Sequence, residues 1–301
     1  MARKIILDVD TGIDDALAIA YALGSEELEL IGVTGTYGNV LVPTGTRNAL
    51  AILELFGRED VPVYAGPGHA RAKDSFEVLE ISEFIHGKNG IGEAQIPDAK
   101  REVEAKSAVD FMVESVREYG DELVIVPVGP LTTVAAAMEA NPEFAANAHI
   151  VNMGGALTVP GNVSAWAEAN INQDPEAADM VFRGVGDITM IGLDVTLQTL
   201  LTTEETAKWE ALGTTGGDFL AAATNYYIKA YETTAPYLGG CGLHDPLAVG
   251  VAVDPTLVTT IDINMKTDTE GETRGRTIGD ETRLNDAEKT AHVAVAVDVQ
   301  R

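Results

Sequence analysis

Four carboxylates crowd into the eight residues Asp8-Val9-Asp10-Thr11-Gly12-Ile13-Asp14-Asp15, directly after a short apolar run. Like charges this close raise one another's pKa unless a cation neutralises them. A hard divalent ion answers that need, and an all-oxygen donor set favours calcium or magnesium. A solvated turn opening a helix would account for Asp14 and Asp15 through the helix dipole, but it leaves Asp8 and Asp10 without a reason. An EF-hand loop fits poorly: counting Asp8 as position one puts Ile19 where a bidentate Glu belongs.

Two further stretches carry polar chemistry. Gly161-Asn162-Val163-Ser164-Ala165-Trp166-Ala167-Glu168-Ala169-Asn170, followed by Asp174, sets amides and a carboxylate at alternating positions. Such groups can converge on a polyhydroxylated ligand, although Asn and Gly also mark ordinary turns. Gly239-Gly240-Cys241-Gly242-Leu243-His244-Asp245-Pro246 delivers a His and an Asp before an apolar helix. Asp245 alone reads as a helix cap; beside the first cluster it becomes a candidate metal ligand. Cys241, the single cysteine, reads as a buried inert thiol.

The elements that must hold these residues alternate. Strand patterns at Lys4–Val9, Leu28–Thr34, Val61–Tyr64, Leu123–Val128, Ile150–Met153 and Ile188–Leu193 interleave with helical patterns at Asp14–Leu23, Thr44–Phe56, Ser107–Tyr119, Leu131–Ala140 and Pro175–Arg183. Glu204–Glu232 reads as mainly helical with a break at Gly213–Gly217, and Ile261–Asp298 as strands and turns. Apolar strands separated by helices predict an α/β fold, a mostly parallel central sheet flanked by helices in one domain spanning residues 1–301. Ligands in such sheets sit beyond the carboxyl ends of the strands. The polar, weakly patterned stretch from Arg71 to Ala105 is expected to be a loop over the site.

Taken together, the three stretches resemble the inosine-uridine-preferring nucleoside hydrolase family. Asp8-x-Asp10-x-Gly12-x-Asp14-Asp15 is similar to its N-terminal signature. Val126-Pro127-Val128-Gly129-Pro130-Leu131-Thr132, Met153-Gly154-Gly155, the Asn162–Asn170 segment with Asp174-Pro175-Glu176-Ala177-Ala178, and His244-Asp245-Pro246-Leu247-Ala248 follow in that family's order. The resemblance runs from about residue 3 to residue 255; beyond it only Arg274-Gly275-Arg276-Thr277 looks familiar.

That resemblance implies hydrolysis of the N-glycosidic bond of ribonucleosides. It implies Ca2+ on Asp10, Asp15, Asp245 and the Val128 carbonyl, with Asp10 as the base that takes a proton from water. It implies Asp14, Asn39, Asn162, Glu168 and Asn170 at the ribose, with Met153 among the substrate-binding residues. His244 is placed as general acid to the leaving base and His86 on the base side. Asn89 departs from the pattern, standing where an acidic residue is usual. Tyr227 and Tyr231, one helical turn apart, could stack on the base or pack into the core. Relatives imply a homodimer or homotetramer.

Two other readings compete. A haloacid-dehalogenase-type phosphatase also begins Asp-x-Asp after a strand, but it leaves His244-Asp245 unexplained and has no use for Gly12. A non-catalytic nucleoside-binding protein would keep the cup without turnover.

Composition limits the partners. With 20 basic against 47 acidic residues, the formal net charge is −27, which repels nucleic acid and anionic membranes. No signal peptide or spanning segment is evident, so a cytoplasmic protein is expected. The acidic excess runs along most of the chain, as in proteins adapted to high internal salt, where screening relieves self-repulsion. On that reading, activity and melting temperature both rise as KCl is taken from dilute to molar; full activity and a high melting temperature in dilute buffer would exclude it.

Overall fold

The computed structural model describes residues 2–301. From the N-terminus come β1 (Arg3–Val9), α1 (Ile13–Gly24), β2 (Leu28–Gly35), α2 (Val42–Leu55), β3 (Val63–Ala65), α3 (Glu80–His86) and α4 (Ala108–Tyr119). The middle of the chain gives β4 (Leu123–Pro127), α5 (Thr132–Ala140), α6 (Pro142–Asn147), β5 (His149–Met153), α7 (Ala169–Gln173), α8 (Pro175–Gly184), β6 (Asp187–Ile191) and α9 (Leu193–Thr196). The remainder gives β7 (Leu200–Leu201), α10 (Thr203–Glu210), α11 (Thr215–Thr234), β8 (Cys241–Gly242), α12 (His244–Val253), β9 (Val258–Ile263), β10 (Met265–Thr267), β11 (Thr277–Gly279) and β12 (Ala291–Val297).

Eight strands form one sheet in the order β3-β2-β1-β4-β5-β6-β12-β9, parallel throughout except for β9, which runs antiparallel to β12. The apolar runs demand this arrangement. In β1, Ile5, Leu7 and Val9 enter one core while Ile6 enters the other. β4 divides likewise, with Val124 and Val126 on one face and Leu123 and Ile125 on the opposite. Burying a side chain of this size stabilises by roughly 2 kcal/mol over leaving it in water. A strand apolar on both faces therefore needs helices on both. Side chains of α1, α2, α11 and α12 fill the first core; those of α4, α5, α6 and α8 fill the second.

Three local departures from the sequence reading have physical causes. The Arg71–Ala105 stretch contains α3; seven residues are too few to show a helical period, and Leu79, Ile81 and Phe84 stay 43–46% exposed, so no buried stripe marks them. Pro142 ends one helix but also begins another, because Asn141 accepts from the Glu143 amide at 3.0 Å and caps α6. The strand read to Leu193 stops at Ile191, and Leu193–Thr196 turns into α9. No helix among the described residues is long and apolar enough to cross a membrane.

The C-terminal segment is fastened to α8 through a buried carboxylate. Asp280, fully buried, accepts from Arg183 Nη1 at 2.5 Å, Arg283 Nε at 2.7 Å and the Thr282 hydroxyl at 2.8 Å. Burial opposes its ionisation, but the hydrogen bonds from Arg283 and Thr282 and the Arg183 charge prevail, holding its pKa at about 2. A folded pKa below the unfolded value contributes stability above about pH 4 that is lost as pH falls towards 2; the shift is worth about 2 kcal/mol. Asp280→Asn should lower the melting temperature at pH 7 by roughly 5 °C, and thermal scans from pH 7 to pH 3 should show the gap to wild type closing. Equal melting temperatures at pH 7 would remove this role.

Candidate active site

The β1–α1 turn is wound around Asp15. Its Oδ1 accepts from the Asp10 amide at 3.0 Å and its Oδ2 from the Gly12 amide at 2.6 Å, amides that face the opening of α1 and lack helical acceptors. The turn so formed presents Asp10 and Asp14 to a cavity of about 370 Å³ beyond the carboxyl ends of the strands. Of the residues singled out from sequence, Asp10, Asp14, Asn39, His86, Val128, Met153, Asn162, Glu168, Asn170, Tyr227, Tyr231, His244 and Asp245 all line it. Asp15 does not; it is fully buried.

Carboxylate oxygens of Asp14, Asp15 and Asp245 lie within 4.8 Å of one another. Asp10 adjoins them, its Oδ2 accepting from the Asn39 amide at 2.6 Å. Burial, and then the charge of Asp15, pushes Asp10 well above the ordinary carboxylate range; burial followed by the charges of Asp14, Asp15 and Asp10 does the same to Asp245. Asp10 Oδ1 and Asp14 Oδ1 are buried with no hydrogen-bond partner. Buried acceptors of one sign, some of them bare, are a donor set suited to a divalent cation.

The sugar-side residues divide by how they are held. Glu168 caps α7: its Oε1 accepts from Asn170 N at 2.9 Å, and its Oε2 from Gly155 N at 2.9 Å and Ile171 N at 3.2 Å. Asn170 Nδ2 donates to the Val128 carbonyl at 2.8 Å, leaving that oxygen one further lone pair. Asn162 is exposed and accepts from the Ala169 amide at 3.0 Å, so it braces the loop at the rim. The Arg274–Thr277 segment acquires a function here, since Thr277 Oγ1 accepts from the Ala156 amide at 3.0 Å and steadies the turn after Met153.

At the other end of the cavity, two imidazoles are held differently. The Ile13 amide donates to His86 Nδ1 at 3.1 Å, so that ring is neutral with its hydrogen on Nε2, and burial pushes its pKa down to about 3. His244 bonds Tyr231 OH through Nε2 at 2.6 Å and Thr196 Oγ1 through Nδ1 at 2.8 Å; burial lowers its pKa too. Tyr227 OH donates to Asp14 Oδ2 at 3.4 Å, and its ring meets Tyr231 edge-on at 4.9 Å. Both tyrosines thus combine packing with a polar hold on a site residue. Cys241 is fully buried, and burial pushes its thiol up to about 12, which keeps it inert. The departure at Asn89 is accommodated: its Oδ1 accepts from Ile91 N and Glu93 N at 3.0 Å each, while its Nδ2 donates to Ala94 O at 3.0 Å.

Sequence reasoning missed two residues of α9. Asp194 accepts from the amides of Leu157 and Thr158 at 2.9 and 2.7 Å, pinning the loop that leads to Asn162, and Thr196 meets His244. Their signal was position alone, immediately beyond the carboxyl end of a strand.

Comparison with known proteins decides the family: the profile of the inosine-uridine preferring nucleoside hydrolases matches residues 5–301. The chain belongs to that family. It is 40% identical over 304 residues to a probable uridine nucleosidase 2 of Arabidopsis thaliana, covering 98% of this chain and 94% of the relative. A pyrimidine-specific ribonucleoside hydrolase of Shigella boydii is 35% identical, with 100% of this chain and 96% of that one covered. The solved structure of a purine-preferring ribonucleoside hydrolase from Gardnerella vaginalis superposes with a TM-score of 0.98 at 66% identity, covering 99% of this chain and 95% of that one. The chain is a ribonucleoside hydrolase, and the phosphatase reading falls away.

Close approach at Gly38 gives a test of how tightly this nucleoside hydrolase holds Asp10. A Cβ there would lie 2.0 Å from Asp10 Oδ2. Gly38→Ala should therefore displace the carboxylate and lower kcat/KM by about 100-fold, as misplacement near 1 Å does, and it should also lower the melting temperature, because the φ of 156° at Gly38 suits glycine alone. Wild-type turnover in this variant would show that the position of Asp10 is not critical.

Proposed function

We propose that the enzyme cleaves ribonucleosides, purine ribosides foremost, with Ca2+ as its metal and Asp10 and His244 as its acid–base residues. The observation that carries this reading is the convergence of buried, partly bare carboxylates and His244 on one cavity. Ca2+ would be held by Asp10, Asp15, Asp245 and the Val128 carbonyl, all oxygen donors. When bound, the ion supplies positive charge that neutralises the carboxylates and makes nearby water more acidic.

The chain's own groups supply the rest. Asp10 is anchored through Oδ2 by Asn39, so its bare Oδ1 is free to accept a proton. Asp14 Oδ1 is equally bare and takes a ribose hydroxyl, with Asn39, Met153, Asn162, Glu168 and Asn170 around the sugar. Glu168 Oε1, which takes a single backbone N–H bond, retains capacity for a hydroxyl. Holding the hydroxyls directs remote binding energy towards the flattened, oxocarbenium-like ring. At the far end, His244 assists the departing base as a hydrogen donor, while His86, Tyr227 and Tyr231 form the walls around it.

The purine preference draws on the 66% identity to an enzyme described as purine-preferring, against 40% to a uridine nucleosidase. We also propose a cytoplasmic homodimer or homotetramer, which light scattering on the purified protein distinguishes from a monomer.

Reducing-sugar release from inosine and uridine, with and without Ca2+ after chelation, tests the whole reading. Ribose release from inosine should exceed that from uridine and return with Ca2+. Asp10→Ala should lose about 1000-fold or more in kcat. Ca2+ should raise the melting temperature of wild type but not of Asp245→Ala. Full activity after chelation would refute the metal assignment, and faster release from uridine would refute the base preference.

A further inference from the structure

The ring of His244 must face the base end of the cavity in a defined orientation, and one side chain outside the cavity wall is placed to impose it. Thr196 closes α9, is fully buried, and has His244 Nδ1, at 2.8 Å, as the hydrogen-bond partner of its hydroxyl. A buried hydroxyl places its own hydrogen on an acceptor where one is offered. Nδ1, when it carries no hydrogen, is such an acceptor.

We infer that Thr196 is a positioning residue for hydrolysis: its hydroxyl donates to His244 Nδ1 and keeps the ring hydrogen on Nε2, which faces Tyr231 and the cavity. Which ring nitrogen carries the hydrogen is set by the bond that the other nitrogen makes. His86 shows the same device with a backbone donor, the Ile13 amide on its Nδ1. The two rings therefore share one arrangement: Nδ1 is tied to a donor in the fold, and Nε2 is left as the hydrogen-bearing atom.

The platform under Thr196 is rigid. The Thr196 amide donates to Gly192 O at 3.1 Å. Two residues earlier, the Asp194 carboxylate accepts from Leu157 N, Thr158 N and the Thr158 hydroxyl at 2.6–2.9 Å. α9 is thereby tied to the loop after β5 on one side and to the first residue of α12 on the other. A movement of His244 would have to carry this tied segment with it.

This inference rests on the reading of His244 as the donor to the leaving base, and the experiment separates the two. Wild type, Thr196→Val, Thr196→Ser and His244→Ala are assayed on inosine and on 4-nitrophenyl riboside, whose 4-nitrophenolate departs without a proton. Valine keeps the shape of threonine and removes only the hydroxyl. Thr196→Val should lower kcat on inosine about 10- to 100-fold, as loss of an outer partner of a functional imidazole does, with KM and the 4-nitrophenyl riboside rate changed by less than about threefold. Thr196→Ser should restore inosine turnover.

Equal losses on both substrates would mean that Thr196 is merely structural and would overturn the inference. Unchanged inosine turnover in Thr196→Val, with a loss in His244→Ala, would overturn it while sparing the role of His244. Unchanged inosine turnover in His244→Ala would remove that role and the inference with it. Should the valine variant fail to fold, Thr196→Ala in the same assay gives the same discrimination.

Discussion

Burial of several like charges at one end of the sheet is the constraint from which the rest of this structure follows. Two unit charges about 4 Å apart repel by roughly 4 kcal/mol even at an effective dielectric of about 20. Asp10, Asp14, Asp15 and Asp245 are all less than 8% exposed. A fold can keep such a group only by surrounding it with donors or a cation. The donors are visible: two turn amides on Asp15, the Asn39 amide on Asp10, and three amides on Glu168. They come from the ends of strands and the first turns of helices, where backbone N–H groups lack intrahelical partners.

The sheet provides those ends in one place. From β1 the order runs outward through β2 and β3 on one side and through β4, β5 and β6 on the other. Connections that leave adjacent strands in opposite directions open a crevice between them, and ligands of parallel sheets bind there. Asp10 follows β1 and Val128 follows β4, the two strands that flank the divergence. Neighbouring strands add their own exits, Asn39 after β2, the Met153 turn at β5 and Thr196 after β6. The long α11 and the start of α12 then close the base end with Tyr227, Tyr231 and His244.

How much of this the sequence discloses depends on how strongly each feature writes itself into residue type. β1, β2, β4 and the helices between them were legible because a strand buried on both faces has to be apolar throughout. The acidic turn was legible because four carboxylates in eight residues have few structural uses. Asp194 and Thr196 were not legible: an Asp and a Thr near a strand end occur in ordinary turns, and their meaning lies in partners 36 and 48 residues away. α3 was hidden for another reason, since its apolar residues remain part-exposed at the mouth of the cavity and leave no periodic stripe. Tyr227 and Tyr231 were legible as a pair, but their hydroxyl contacts with Asp14 and His244 depend on how α11 lies against α1 and α12.

Hydrogen-bond accounting separates the acids that build the site from those that are free to react, a distinction that residue type cannot make. Asp194 takes three donors, Glu168 three amides, and Asp174 the amides of Arg71 and Ala177 with the Thr132 hydroxyl. Carboxylates engaged in this way are fixed in place. Asp10 and Asp14 each keep one oxygen bare while reaching the cavity. Asp8 also keeps a bare oxygen, its other held by Thr34 at 2.6 Å, but it does not reach the cavity wall. Reactivity therefore needs both conditions, an oxygen without a donor and access to substrate. Among the four acids of the N-terminal signature only Asp10 and Asp14 meet them, while Asp15, held by two turn amides and enclosed, shapes the turn that carries both.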